Sequence, residues 1–161
     1  MLVNAELKRQ HKRIEDLINE VKLKFEPDDE LQSHLAKYIC VMCSGFLENA
    51  MYHTLHDIVK LETSSEMVTA YVKSHLLKIQ NPNARKIRDI FKCFKSEWFD
   101  ELGDYMQKEQ RSEAVNYIMK DRHNIAHGKD SNITITKIET YFNKAVEVIA
   151  YIEANFVKIA T

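Results

Sequence analysis

Glycine and proline are scarce, at three and two in 161 residues. Sandwiches, barrels and α/β folds turn often, and each tight turn draws on Gly, Pro, Asn or Asp. The shortage excludes those classes and points to a few long helices. No apolar run approaches the roughly 20 residues that span a bilayer. The N-terminal stretch MLVNAELKRQHKRIEDL lacks the apolar segment of a signal peptide, so a cytoplasmic protein without a membrane partner is expected. A strong charge of one sign is also missing. The formal net charge is −1, which excludes a nucleic-acid binder that relies on bulk positive charge but not an enzyme that touches a short stretch of RNA through a local patch. Cysteine is odd in number, with Cys40, Cys43 and Cys93. Cys40 and Cys43 spell C-x-x-C inside an apolar helical run, with no second pair and no βαβ context, and read as buried, inert thiols.

What is present is helical periodicity over a length normal for one domain, 1–161, with one core. A helix is expected over about residues 4–25, with Leu7, Ile14, Leu17, Ile18, Val21 and Phe25 on one face. Pro27-Asp28-Asp29 stops it and caps the next. The second helix, over about 30–61, is apolar on more than one face (Tyr38, Ile39, Val41, Met42, Phe46, Leu47, Ala50, Met51). It is therefore central in a bundle or shared with a second subunit. A third helix is expected over about 65–79, with Met67, Val68, Tyr71, Val72, Leu76 and Ile79 as core. After the Asn81-Pro82-Asn83 turn, a short helix carries Ile87, Ile90, Phe91 and Phe94, and Trp98, Phe99 and Leu102 continue its apolar face. Another helix covers about 109–127, with Gly128 as its C-cap. The last begins near Thr136, where Thr136-Lys137-Ile138-Glu139 has capping-box spacing, and stays apolar on one face to Phe156.

Chemistry concentrates in Asp121-Arg122-His123-Asn124-Ile125-Ala126-His127-Gly128. His123 and His127 lie four apart and share a helix face, and Asn124 and His127 lie three apart. Arg122 precedes His127 by five positions, about 7.5 Å of rise and about 140° of rotation. One straight helix does not aim both at one small target unless the length of Arg helps. A two-fold dimer would set the same helix of a second subunit opposite, so that two Arg and two His share a cleft.

Arg122-His123-Asn124-Ile125-Ala126-His127 resembles the R-x4–6-H motif of HEPN domains. With Ser44-Gly45-Phe46-Leu47-Glu48 on the second helix, the chain is most similar to the RiboL-PSP-type branch. The resemblance implies an all-α, up-and-down bundle of four to five main helices plus short ones. It also implies a homodimer with a composite site at its interface. Many members of the superfamily are metal-independent endoribonucleases of toxin–antitoxin, abortive-infection and other defence systems, so an antitoxin or defence-system partner protein is implied too. Some HEPN toxins carry Tyr two positions after the motif His, where a partner enzyme modifies it. Lys129 stands there in this chain, which argues against that route of neutralisation.

The implied chemistry is attack of a ribose 2′-OH on the adjacent phosphate, leaving a 2′,3′-cyclic phosphate and a 5′-OH. His moves protons near neutral pH, and the Arg fork binds the phosphorane oxygens. His127 is assigned as general acid/base, Arg122 as phosphate clamp, and Asn124 as the residue that orients His127 or the phosphate. His123 assists, and Glu48 is a supporting partner for the Arg or His. Lys78 to Lys95 holds six cations against Asp89, a local charge of +5. Arg85, Lys86, Arg88 and Lys92 are candidate RNA contacts within it. No cofactor or metal is expected, since His53 and His56 lack a matching pair of carboxylates. The alternatives are a non-catalytic HEPN-type module that binds RNA, nucleotide or a partner, and a structural domain assembling through the second helix. In the plainest reading, Arg122 and His127 are cations ending a helix.

Overall fold

A computed structural model describes residues 1–157. Its elements are helical throughout: α1 Ala5–Lys24, α2 Glu30–Glu62, α3 Glu66–Leu76, α4 Ala84–Lys92, α5 Glu97–Gln107, α6 Arg111–Ala126 and α7 Ile135–Ile152, closed by a π-helical turn at Glu153–Val157. The four long helices α1, α2, α6 and α7 form the bundle, and α2 packs on the other three. This explains its apolar breadth: Ile39, Cys40, Cys43, Phe46, Leu47, Ala50 and Met51 are all buried, on more than one side of the helix. Phe46 meets Phe142 of α7 edge-on at 5.2 Å, a geometry that adds about 0.5–1.5 kcal/mol to the burial itself. No described helix is long and apolar enough to cross a membrane.

The first and last turns lock together. Asn4 caps α1, accepting from the Glu6 and Leu7 amides. The buried carboxylate of Glu153 accepts from the Val3 and Asn4 amides at 2.6 and 2.9 Å. A negative charge at a helix N-terminus is also favoured by the helix dipole.

Three expectations are corrected. The third helix ends at Leu76, its one buried residue, while Met67, Val68 and Tyr71 are exposed. This short helix packs on α2, whose other flanks α1, α6 and α7 already occupy, so its outer face has no core to enter. The sixth helix starts at Arg111 rather than near 109, because Glu109 and Gln110 take positive φ values of 54° and 61°. Arg111 holds that bend: its guanidinium donates to Glu147, Glu109 and the carbonyls of Tyr105 and Lys108. The last helix starts at Ile135, with Thr134 as its cap accepting from the Lys137 amide. Starting two residues earlier than the Thr136 box, the helix buries Ile135 as well as Ile138.

Candidate active site

The Arg122–His127 segment forms the last turn of α6 and its cap. Gly128, at φ +64°, reverses the chain. The Lys129 amide donates to the Asn124 carbonyl at 2.8 Å and the Gly128 amide to the Ile125 carbonyl at 3.2 Å. This double closure needs a left-handed residue just past the cap, which glycine occupies without strain. It fixes where the backbone of His127 lies. Asp121 accepts from the buried Ser131 hydroxyl at 3.1 Å, so the strand of chain after the motif is tied back to α6. Asp121 belongs to the segment the sequence singled out, while Ser131 did not stand out there.

His123 and His127 are exposed, with ring centroids 4.4 Å apart and planes inclined by 55°. Arg122 and Asn124 are half-buried. Among the described residues none of these four side chains has a hydrogen bond or ion pair to another side chain, in contrast to Arg111, which has two carboxylate partners. The helix end thus presents a guanidinium and two adjacent imidazoles to solvent. Arg122 and His127 leave the helix in different directions, as their spacing requires.

Behind the motif, α2 presents thiols. Cys40 donates to the Ile118 carbonyl. Burial, with the charge of Asp121 adding to it, pushes its pKa up to about 12. Burial raises Cys43 well above the usual range too. Both are neutral packing groups at neutral pH, so the C-x-x-C spacing supplies no thiolate.

Glu48 does not pair with Arg122 or His127. Its carboxylate accepts from the Asn81 amide at 2.8 Å, holding that residue at φ 50°. Glu48 is thus engaged by the connection between α3 and α4.

The basic segment divides. Arg88 is committed to the protein: Nε donates to the Phe99 carbonyl at 3.0 Å and the guanidinium lies 3.9 Å from the Phe99 ring centroid. Lys92 also lies over Phe99, at 5.3 Å. Lys86 reaches back to the Gln80 carbonyl at 2.6 Å. Arg85 is highly exposed, with a loose 3.6 Å contact to Asp89. It lines an open groove of about 510 Å³ with Asn81, Asn83, Asn116, Met119, Lys120 and His123. The six residues other than Met119 are polar or cationic and none is a carboxylate.

A second groove runs between α1 and α2, in two connected parts of about 420 and 590 Å³ that share Arg9, Arg13, Tyr38 and Met42. Its floor is apolar, and Gly45 opens onto it.

In comparison with known families, the model of the RiboL-PSP-HEPN family matches residues 5–157. Comparisons with curated proteins and with solved structures give no match.

Proposed function

The chain belongs to the RiboL-PSP-HEPN family, and from that premise we propose that it is a metal-independent endoribonuclease of the toxin or anti-phage defence type, with its site completed by a second copy. One observation carries this reading: a Gly-capped helix end with two adjacent imidazoles, His123 and His127, and an arginine in the same turn that has no side-chain partner among the described residues. In the proposed reaction the ribose O2′ bonds to phosphorus as its proton passes to an imidazole. The P–O5′ bond breaks, and an imidazolium returns a proton to the leaving O5′. The products are a 2′,3′-cyclic phosphate and a 5′-OH. His127 is the proton carrier, with His123 or the second copy's imidazole as its counterpart. Arg122 neutralises the charge that builds on the phosphoryl oxygens, and Asn124 orients one of these groups. The carboxylate nearest in sequence, Asp121, is engaged by Ser131, which supports a mechanism driven by imidazole and guanidinium.

The surface of α2 supports a second copy. Leu31 and Tyr38 are half-exposed, Val41 is 41% exposed, and Leu31, Tyr38 and Gly45 recur every seven residues on the outward stripe. A mid-helix glycine costs about 1 kcal/mol against alanine, yet a Cβ at Gly45 would meet nothing within 4 Å. Packing within the chain therefore gives no reason for it. A two-fold axis between Val41 and Met42 sets Tyr38 of each copy on Gly45 of the other. α2 meets α6 through Cys40 and Ser44, next in sequence to Val41 and Gly45 of this seam, which supports a cleft shared by the two motifs. Around the α1–α2 groove the charges are mixed and partly paired, Arg9 with Glu6 and Lys12 with Asp16, which suits a self-complementary protein contact.

The test is cleavage of mixed cellular RNA in EDTA by the parent protein and by His127→Ala. Cleavage by the parent alone, with loss of growth toxicity in the variant, is expected. Equal cleavage or toxicity from His127→Ala would remove this mechanism. The second reading, a non-catalytic module binding RNA or nucleotide, is favoured by the near-neutral net charge of −1. It predicts tight RNA binding with no cleavage by either protein.

A further inference from the structure

We infer that the groove between the N-terminus of α4 and the outer face of α6 is a nucleotide subsite. It holds the single-stranded RNA residue next to the scissile phosphate, with Arg85 and Lys120 on its phosphate and the Asn83 and Asn116 amides on its base edge. The inference rests on the ribonuclease reading above, and it says which way the strand leaves the site.

Continuity comes first. His123 belongs both to the motif and to the groove lining, so a chain bound at α6 enters the groove without crossing another element. Chemistry comes second. Arg85 and Lys120 are exposed cations at opposite walls, and no carboxylate lines the space. The α1–α2 groove, by contrast, is lined by Glu6, Asp16 and Glu20 as well as cations. Third, the asparagines are built in. The Asn116 side-chain oxygen accepts from the Ala84 amide at 3.0 Å, which fastens α4 to α6. The Asn83 oxygen accepts from the Lys86 amide at 2.9 Å as the cap of α4. Each keeps an NH2 group that has no partner among the described residues and can serve as a donor. Asn81 completes the wall, and the bond from its amide to Glu48 makes Glu48 a positioning residue for the groove. Amides that donate to base edges, together with cations on phosphate, are how single-stranded RNA is read. At about 510 Å³ the groove is in the range of small-ligand sites.

The experiment uses the full chain carrying His127→Ala, so that RNA is bound and not cut, and a 5′-labelled single-stranded oligoribonucleotide followed by fluorescence anisotropy across a salt series. Arg85→Glu and Lys120→Glu should each raise Kd at least tenfold. They should also flatten the salt dependence, a slope of about 0.7 being lost for each phosphate contact removed. Lys108→Glu, an exposed position before α6 that lines neither groove and lies at the opposite end of that helix from the motif, should do neither. Asn116→Asp keeps the oxygen that accepts from Ala84 but loses the donor. It should therefore change which base is preferred at the adjacent position of the substrate in an otherwise unmodified protein. Unchanged binding by both Arg85→Glu and Lys120→Glu, in a protein that still binds RNA, overturns the groove and leaves the ribonuclease standing. An equal loss from Lys108→Glu also overturns it. Failure of the His127→Ala parent to bind any RNA, together with no cleavage by the natural protein, overturns both.

Discussion

Two grooves mark the surface of the bundle, and they are built from different materials. The one between α1 and α2 has an apolar floor, a glycine where a side chain would fit, and a rim whose cations are partly paired with acids. The one between α4 and α6 has amides, two exposed cations and a motif histidine, with no acid in its lining. A surface that must match a copy of itself needs both signs of charge and a close fit of shape. A surface that must hold a polyanion needs one sign and free donors. On the proposed reading one groove serves assembly and the other substrate, and the motif at the end of α6 borders the second through His123.

The largest effect that sharpens this contrast is expected from His127→Ala. It should lower RNA cleavage by about 10²–10⁴-fold, the usual worth of a general acid/base, while mass by light scattering stays that of a dimer. Gly45→Trp breaks the other groove. It fills the space that the second copy's Tyr38 would occupy and has open room in the single chain, so a helical monomer that has lost cleavage is expected. Glutaraldehyde-resistant dimers or unchanged light scattering in Gly45→Trp would place assembly elsewhere. A direct positive measure is Val41→Cys in a chain with Cys93→Ser, which should oxidise to a disulfide-linked dimer across the proposed axis.

Changes outside both grooves calibrate the comparison. Glu153→Ala leaves the Val3 and Asn4 amides without their acceptor, and urea unfolding should show a loss of about 2–3 kcal/mol with cleavage intact at low temperature. Gly128→Ala forces alanine into a left-handed conformation, at about 1 kcal/mol. Because that glycine closes the turn carrying His127, the cleavage rate should fall while the dimer persists. The smallest effect concerns the thiols. With its pKa raised to about 12, Cys40 stays protonated as pH rises through 8 and 9. Iodoacetamide should therefore label only the exposed Cys93 in the folded protein, and labelling of Cys40 at pH 8 would contradict its burial.

The long helices were legible because their residues answer to one periodicity. Ile14, Ile18 and Val21 of α1, and Ile138, Phe142, Ala145 and Ile149 of α7, all point at one core. The last turn of α6 was legible too, since Gly128 is where a left-handed cap requires it. The rest depended on distant partners. Nothing in Met67, Val68 and Tyr71 says that α2 is already covered on its other sides. Glu109 and Gln110 carry no signal for positive φ, and their bend is held by Arg111 and by Glu147 from α7. The six cations between Lys78 and Lys95 read as one patch in the sequence. The fold gives Arg88 to Phe99 and Lys86 to Gln80, and leaves Arg85 facing the groove. Glu48 was sought beside the motif and found holding Asn81. Lys120 and Asn116 went unnoticed, although their spacing of three and seven residues from His123 puts them on its helix face.

The central claim, that α6 drives attack by the ribose on its own phosphate, is tested most directly by one substitution in the substrate. An oligoribonucleotide with a single cleavage site is prepared with and without a 2′-deoxy sugar at that site, and both are incubated with the natural protein in EDTA. The account predicts that the all-ribose strand is cut to a 2′,3′-cyclic phosphate end and that the deoxy strand is not cut there. Equal cleavage of the two strands would mean that water or another nucleophile attacks the phosphorus, and would contradict it.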